Sequence, residues 1–394
     1  MARRFRKPHA KSWSCWLVNT CNELLACCLR GEPWTPEQLD RAIAVDEGRA
    51  LLTIVVERLG DLFEPRLCRT YTELFSQVIR RAFPGLEARI RRNAEPPRPP
   101  QSTERVYVLS RVTLGADVAV TSVLLDAAKR RYPDAEIVLV GPRKSYELFE
   151  ADPRVRHFPA PYARGGTLLH RLRASADLWL KDGIVIDPDS RLTQLGLISV
   201  CEEPRYFFFE SRSYASDSSE PLPVLAARWA REVFGIENAR PYIAPLEPLE
   251  PPAEITVSLG VGENPAKRLG DDFERDLLRA LSETGGSVLV DKGGSRAERE
   301  RVERALLPGM RTHDGAFAPF AAQIARSRLY VGYDSAGQHV ASACSVPLIS
   351  VFAGFASERM FQRWRPSGAV IRGDHPDVLG EVQRSLTYIG RHSP

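Results

Sequence analysis

From Gln101 onward, short apolar runs alternate with helical stretches, and most runs end in glycine or small polar residues. Strands of that kind are buried on both faces and joined by crossover helices, so the rhythm predicts parallel βαβ units. Val106–Leu109, Ile137–Val140, Ala176–Leu180, Ile184–Ile186 and Tyr206–Phe209 read as strands, and Val118–Arg131 as a helix stopped by Tyr132-Pro133. Prolines 241, 245, 248, 251 and 252 then mark a linker over 241–253. The rhythm resumes with strands at Ile255–Leu259, Ser287–Val290, Leu329–Val331 and Leu348–Phe352, and helices at Asp271–Ser282, Ala297–Ala305 and Pro319–Ala325. The fold class is therefore α/β, with two Rossmann-like halves (101–240 and 254–373) facing a cleft. A last helix, Pro376–Ile389 within 374–394, is expected to cross back over the first half.

Residues 1–100 have a different texture. Thr35-Pro36-Glu37-Gln38 combines an N-cap with proline at the first helical position. The apolar spacing of Leu51, Leu52, Ile54, Val55, Leu59 and Leu62, and then of Tyr71–Phe83, predicts further helices. Pro96, Pro97, Pro99 and Pro100 close this section as a stiff linker. Its expected role is a cap, an oligomer surface or an acceptor-binding wall.

The net charge of +4 conceals two basic clusters, Arg3/Arg4/Arg6/Lys7/Lys11 and Arg80/Arg81/Arg89/Arg91/Arg92, which read either as solvated helix faces or as phosphate or membrane contacts. Seven cysteines form no CxxC pair, which points to reduced thiols rather than a disulfide frame or a zinc knuckle, even with four of them between Cys15 and Cys28. The run Trp13–Leu29 is interrupted by Asn19, Asn22 and Glu23, and Trp13, Trp16, Leu17, Leu24, Cys27 and Cys28 share one helical face. The expectation is a cytoplasmic protein, with peripheral contact at the inner membrane left open.

Four loops carry the candidate chemistry. In VGYDSAGQHVASACSVP (331–347) a strand turns through Asp334, Ser335, Ala336 and Gly337 into a helix with His339 in its first turn, an arrangement that offers backbone N–H groups to an anion. In Arg111–Asp117 a strand-end loop leads to Asp117 at a helix start, which suits either a carboxylate base or an ordinary first-turn acid. In Val257–Arg268 a glycine-bearing loop precedes Lys267 and Arg268, a diphosphate partner or solvated cations. In Asp291–Glu298 the loop ends at Glu298, placed to accept from ribose hydroxyls or simply to begin a helix. Asp187-Pro188-Asp189-Ser190-Arg191 would meet the acceptor or cap a helix. GxGxxG is satisfied near neither first strand, so a dehydrogenase is disfavoured.

Together these loops resemble the family-9 glycosyltransferases, the ADP-heptose heptosyltransferases, over roughly 104–372. VGYDSAGQHVASACSVPLISVFAG is similar to the family's strand–DTG–His–helix–Pro–strand segment, with Ser335 for threonine and Ala336 for glycine. VSLGVGENPAKRLGDDF is similar to its glycine loop, with Leu269 where the family has tryptophan. SRVTLGADVAVTSVLLDAAKRRYPDAEIVLV is similar to its first strand and Gly-Asp turn, except that Ala116 separates Gly115 from Asp117.

The resemblance implies a GT-B fold and a metal-independent, inverting transfer of heptose or a related sugar from an ADP-sugar, with ADP-heptose the expected donor substrate and no cofactor. Asp117 would be the base, while Lys267, Glu298, Asp334, Ser335, Ala336, Gly337 and His339 would hold the donor. Arg111, Arg268 and Asp187 would contact phosphate or acceptor, and Arg359, Arg363 and Arg365 would add positive potential or be surface cations. The acceptor would be a glycan, glycolipid, protein or small natural product, not a nucleic acid. The competing reading is a catalytically degenerate module of the same fold that binds or scaffolds.

Overall fold

The computed structural model describes residues 10–91, 97–247, 250–262 and 264–392, with side chains from Asn19 onward. The first basic cluster, Cys15, the start of the Trp13 face, Arg92, Pro96 and Pro248 lie outside what is described.

Two parallel sheets form the body. The first contains β1 (Arg105–Leu109), β2 (Glu136–Gly141), β3 (Val155–Pro159), β4 (Ile184–Asp187) and β5 (Tyr206–Phe208), in the order β3-β2-β1-β4-β5. The second contains β6 (Ile255–Ser258), β7 (Val288–Asp291), β8 (Arg311–His313), β9 (Leu329–Tyr333), β10 (Leu348–Phe352) and β11 (Ala369–Arg372), in the order β11-β10-β9-β6-β7-β8. Each sheet reverses its winding once, between β1 and β4 in the first and between β6 and β9 in the second. The crevice beyond the strand ends at such a reversal is where open α/β sheets bind ligands. Those four strands lead into the loops of Asp117, Asp187, Lys267 and Asp334.

Several expectations need correction. Residues 176–180 form no strand: helix Leu168–Ala176 ends there and the chain runs on as coil, with Leu178 and Leu180 buried as anchors. The edge strands β3, β8 and β11 carry charged or exposed residues (RTH in β8), so they lacked an apolar signal. The final helix, Val378–His392, does not cross back. Its Val378, Val382, Leu386 and Ile389 join the core of the second sheet, because that is the apolar surface its face matches.

The N-terminal section is fused to the first half rather than tethered to it. Leu24, Leu39, Leu52, Leu59 and Phe75 share one core with Leu168, Leu172, Leu195 and Ile198. The Tyr71 hydroxyl donates to the Gln194 carbonyl (2.7 Å), and the Arg89 guanidinium donates to the carbonyls of Ser175, Ala176, Leu178 and Ser199. Thr35 and Gln38 complete a reciprocal capping box, as their spacing predicts. Cys21 and Cys28 lie in this core, where burial pushes their thiols up to about 11 and about 12. Among the described residues no helix is long and apolar enough to cross a membrane.

Candidate active site at the seam between the sheets

The loop after β6 closes as a short turn, Pro265–Lys267, in which the Asn264 side chain accepts from Ala266 N–H (3.1 Å). This turn aims Lys267 across to the loop after β9. Its Nζ stands 2.6 Å from Asp334 Oδ2 and donates to the Asp334 carbonyl at 3.1 Å. Asp334 is buried and held on its other oxygen by Gln338 Nε2 (2.5 Å), while Gln338 Oε1 accepts from Ser350 Oγ (2.5 Å). Gln338 and Ser350 went unnoticed in the sequence, since a polar pair inside an apolar strand–helix unit signals nothing until the two are seen to face each other.

Helix Ala336–Ala343 begins directly after, and Ser335 does not cap it with its side chain. The first-turn N–H groups of Ala336 and Gly337 are therefore uncapped at the positive end of the helix. Gly337 is glycine for a packing reason: a Cβ there would lie 2.4 Å from the Tyr330 hydroxyl. His339 is buried against Trp364 (ring centroids 5.7 Å apart), and burial lowers its imidazole to about 4 despite the pull of Asp334. It is neutral at physiological pH.

Glu298 lies in the first turn of helix Arg296–Ala305, which Ser295 caps. Its Oε2 accepts from Gly294 N–H (3.0 Å), and it rests in a hollow made by two glycines. A Cβ on Gly260 would come within 2.9 Å of Glu298 Oε1, and one on Gly293 within 2.2 Å of Glu298 Cδ. The loops after β6 and β7 thus meet on this carboxylate. Arg268 is spent elsewhere: Nε donates to Glu274 Oε1 (2.8 Å), another nitrogen pairs with Asp271, and fully buried Glu274 also takes Arg301. As a phosphate contact it would have to leave the buried Glu274.

On the other side of the seam, the helix after β1 starts at Leu114 and runs as a π turn over Asp117–Thr121 before becoming regular. A π turn holds one residue more than an α turn, and it follows immediately on the extra Ala116. Asp117 is fully buried. Oδ1 accepts from Arg111 N–H (2.7 Å) and Thr121 Oγ1 (2.8 Å), and Oδ2 from Ser110 Oγ (2.8 Å). Burial raises its carboxyl, and these hydrogen bonds oppose that rise. The carboxylate is thus held by three donors from Ser110, Arg111 and Thr121.

Asp187 is likewise enclosed, accepting from Ser190 N–H (2.6 Å), Thr193 Oγ1 (2.5 Å) and Tyr206 hydroxyl (2.5 Å). It organises the loop after β4. Arg111 donates to the Pro188 carbonyl (2.5 Å) and Ser211 Oγ (2.7 Å), and lies over the Trp364 ring at 5.8 Å.

The two sides touch. A Cβ on Gly115 would approach Ala336 Cα to 3.3 Å and His339 Cδ2 to 3.0 Å. Helix Glu358–Trp364 bridges them further: Arg363 donates to the carbonyls of Glu220 and Ala215, and Arg359 to that of Phe63 (3.0 Å). In the sequence both arginines read either as added positive potential or as surface cations. Among the described residues no group of three His, Cys, Asp or Glu is placed to hold a metal.

Two parallel Rossmann-like sheets meeting at a seam make this a GT-B-like fold. Residues 260–378, the region carrying Lys267, Glu298 and the 334–339 helix start, match Glycosyltransferase family 9 (heptosyltransferase). Solved structures agree on the fold. Escherichia coli heptosyltransferase WaaC, determined with ADP, superposes at a TM-score of 0.54 with 16% identity, over 72% of this chain and 99% of its own. E. coli ADP-heptose LPS heptosyltransferase II gives 0.51 and 18%, over 72% and 98%. A family-9 glycosyltransferase from Veillonella parvula gives 0.52 and 15%, over 75% and 97%. No curated protein matches the chain in sequence.

Proposed function

We propose that the chain transfers a sugar, heptose or a relative, from an ADP-activated donor to an acceptor hydroxyl with inversion. The observation that carries this reading is the convergence of Lys267, the uncapped helix start at Ser335–Gly337 and cradled Glu298 on one switch point. Lys267 and the N–H groups would meet the diphosphate, and Glu298 would accept from the ribose hydroxyls. The structures of WaaC with ADP and with ADP-2-deoxy-2-fluoro heptose support the choice of donor.

In the transfer, the acceptor oxygen would attack the anomeric carbon opposite the diphosphate as positive character grows on the ring. The departing diphosphate would be stabilised by Lys267 and the helix end. His339, neutral and buried, would contribute an uncharged hydrogen bond or packing. Asp117 would take the proton from the acceptor oxygen, its carboxylate held in place by Ser110 Oγ, Arg111 N–H and Thr121 Oγ1.

Calorimetric titration with ADP, followed by mass spectrometry of extracts incubated with a panel of nucleotide sugars, tests this function. Binding of ADP and transfer from an ADP-sugar is the expected result. Tight ADP binding with no turnover of any ADP-sugar would favour the non-catalytic module.

A further inference from the structure

We propose that Gln338 is a positioning residue of the donor site: through Asp334 it sets where the Lys267 ammonium stands, and so how strongly a diphosphate is held. This rests on the glycosyl-transfer reading and deepens it by assigning a role to the residue behind the lysine.

Gln338 and Ser350 are both fully buried. A carboxamide enclosed between a strand and a helix is costly unless both of its ends are satisfied. Here they are. Nε2 donates to Asp334 Oδ1 at 2.5 Å and lies 3.4 Å from the Trp364 carbonyl, while Oε1 accepts from Ser350 Oγ at 2.5 Å. The amide fits only this way round, because a carboxylate only accepts and so must face the nitrogen.

The main chain of Asp334 is fixed, since its N–H donates to the Val351 carbonyl (3.1 Å). The torsion of its carboxylate is what the amide adds. By occupying Oδ1, Gln338 leaves Oδ2 to meet Lys267 Nζ at 2.6 Å. Released from the amide, the carboxylate could turn both oxygens to the ammonium and draw it away from the diphosphate. A neutral donor also orients Asp334 without competing as a cation for the lysine's partner.

The turn carrying Lys267 is placed by other contacts. Leu269 N–H donates to the Tyr333 hydroxyl (3.2 Å), and Asn264 Nδ2 to the Gly354 carbonyl (3.4 Å). Loss of Gln338 should therefore shift the head of the lysine and leave its loop in place. Glu298, at the proposed ribose end, is held separately by Gly294 N–H (3.0 Å). The effect belongs to the diphosphate end of the site.

The test is calorimetric titration of the full-length chain with ADP and with adenosine, which lacks the diphosphate. Gln338→Met, similar in length but without hydrogen-bonding groups, should weaken ADP by about 3- to 10-fold, the net range of one hydrogen bond. Adenosine affinity should stay at the wild-type value. In a Lys267→Ala background the same substitution should cost no further ADP affinity, because its effect passes through the lysine. Ser350→Ala keeps the amide and removes only its support. It should show a smaller loss of the same kind, and it carries the same cycle if Gln338→Met does not fold. Unchanged ADP affinity in both folded variants overturns the proposal. So does an equal loss for ADP and adenosine, or a loss that persists in full without Lys267, since each marks a merely structural role. Wild-type protein that binds no ADP instead overturns the donor reading beneath it.

Discussion

Lys267 Nζ and Asp334 Oδ2 are 2.6 Å apart, and this pair joins the two loops that flank the second switch point. The lysine is thereby positioned before any donor arrives, and a diphosphate would compete with Asp334 for it. Lys267→Ala should weaken ADP binding by roughly 10- to 100-fold, the range of one charge-assisted contact. Titration calorimetry measures this, and unchanged affinity would remove Lys267 from the donor site.

Gly293 has φ +80°, and a Cβ there would fall 2.2 Å from Glu298 Cδ. Gly293→Ala should cost about 1–2 kcal/mol in backbone strain alone and push the carboxylate out of its hollow. If Glu298 holds the ribose, ADP binding falls while pyrophosphate binding does not. Equal losses for both ligands would place Glu298 away from the nucleoside.

Asp117→Ala removes the acceptor for Ser110 Oγ, Arg111 N–H and Thr121 Oγ1 in a fully buried site. Stranded donors cost about 1–3 kcal/mol each, partly relieved by water. A drop of roughly 2–4 kcal/mol in denaturant stability is expected. Near-wild-type stability would show that the carboxylate does not organise its loop.

His339 links stability to pH. Its folded value, lowered to about 4, lies below the ordinary 6.5, so the unfolded chain takes up a proton that the folded chain refuses. The contribution is complete above 6.5 and fades as pH falls toward 4, by on the order of 3 kcal/mol. His339→Gln should flatten the acid side of the stability–pH curve, as chemical denaturation between pH 4 and 7 will show.

Glu57 accepts from Arg164 and Arg171 and lies 3.5 Å from Arg191, and Arg171 is 3% exposed. Glu57→Gln leaves a buried guanidinium uncompensated and should destabilise by about 3–5 kcal/mol. A melting curve that loses the first half and the N-terminal section together would confirm that they fold as one unit.

The alternation after Gln101 was enough to assign two parallel α/β units, because strands buried on both faces must be apolar throughout. Helices Asp271–Ser282 and strand Leu348–Phe352 appear where that periodicity predicts them. The loops of Lys267, Glu298 and Asp334–His339 were equally legible, since glycine and small polar residues at strand ends are a local signal. Edge strands β3, β8 and β11 were not, because solvent on one side removes the need for apolar residues.

Three things were decided only by tertiary structure. Arg268 and Asp187 looked available, yet Arg268 is taken by the buried Glu274 of the following helix and Asp187 by donors that include the Tyr206 hydroxyl of the neighbouring strand. Asp117 stood at the expected helix start, but the π turn beside Ala116 set the direction of its side chain. Phe63 carried no motif at all; it acquires meaning because it docks on Trp364, which is 301 positions further along the chain (364 − 63). Local sequence sets backbone shape and thus where loops lie. Which charges stay unpaired depends on every neighbour the fold brings in, and the sequence of one segment does not contain that sum.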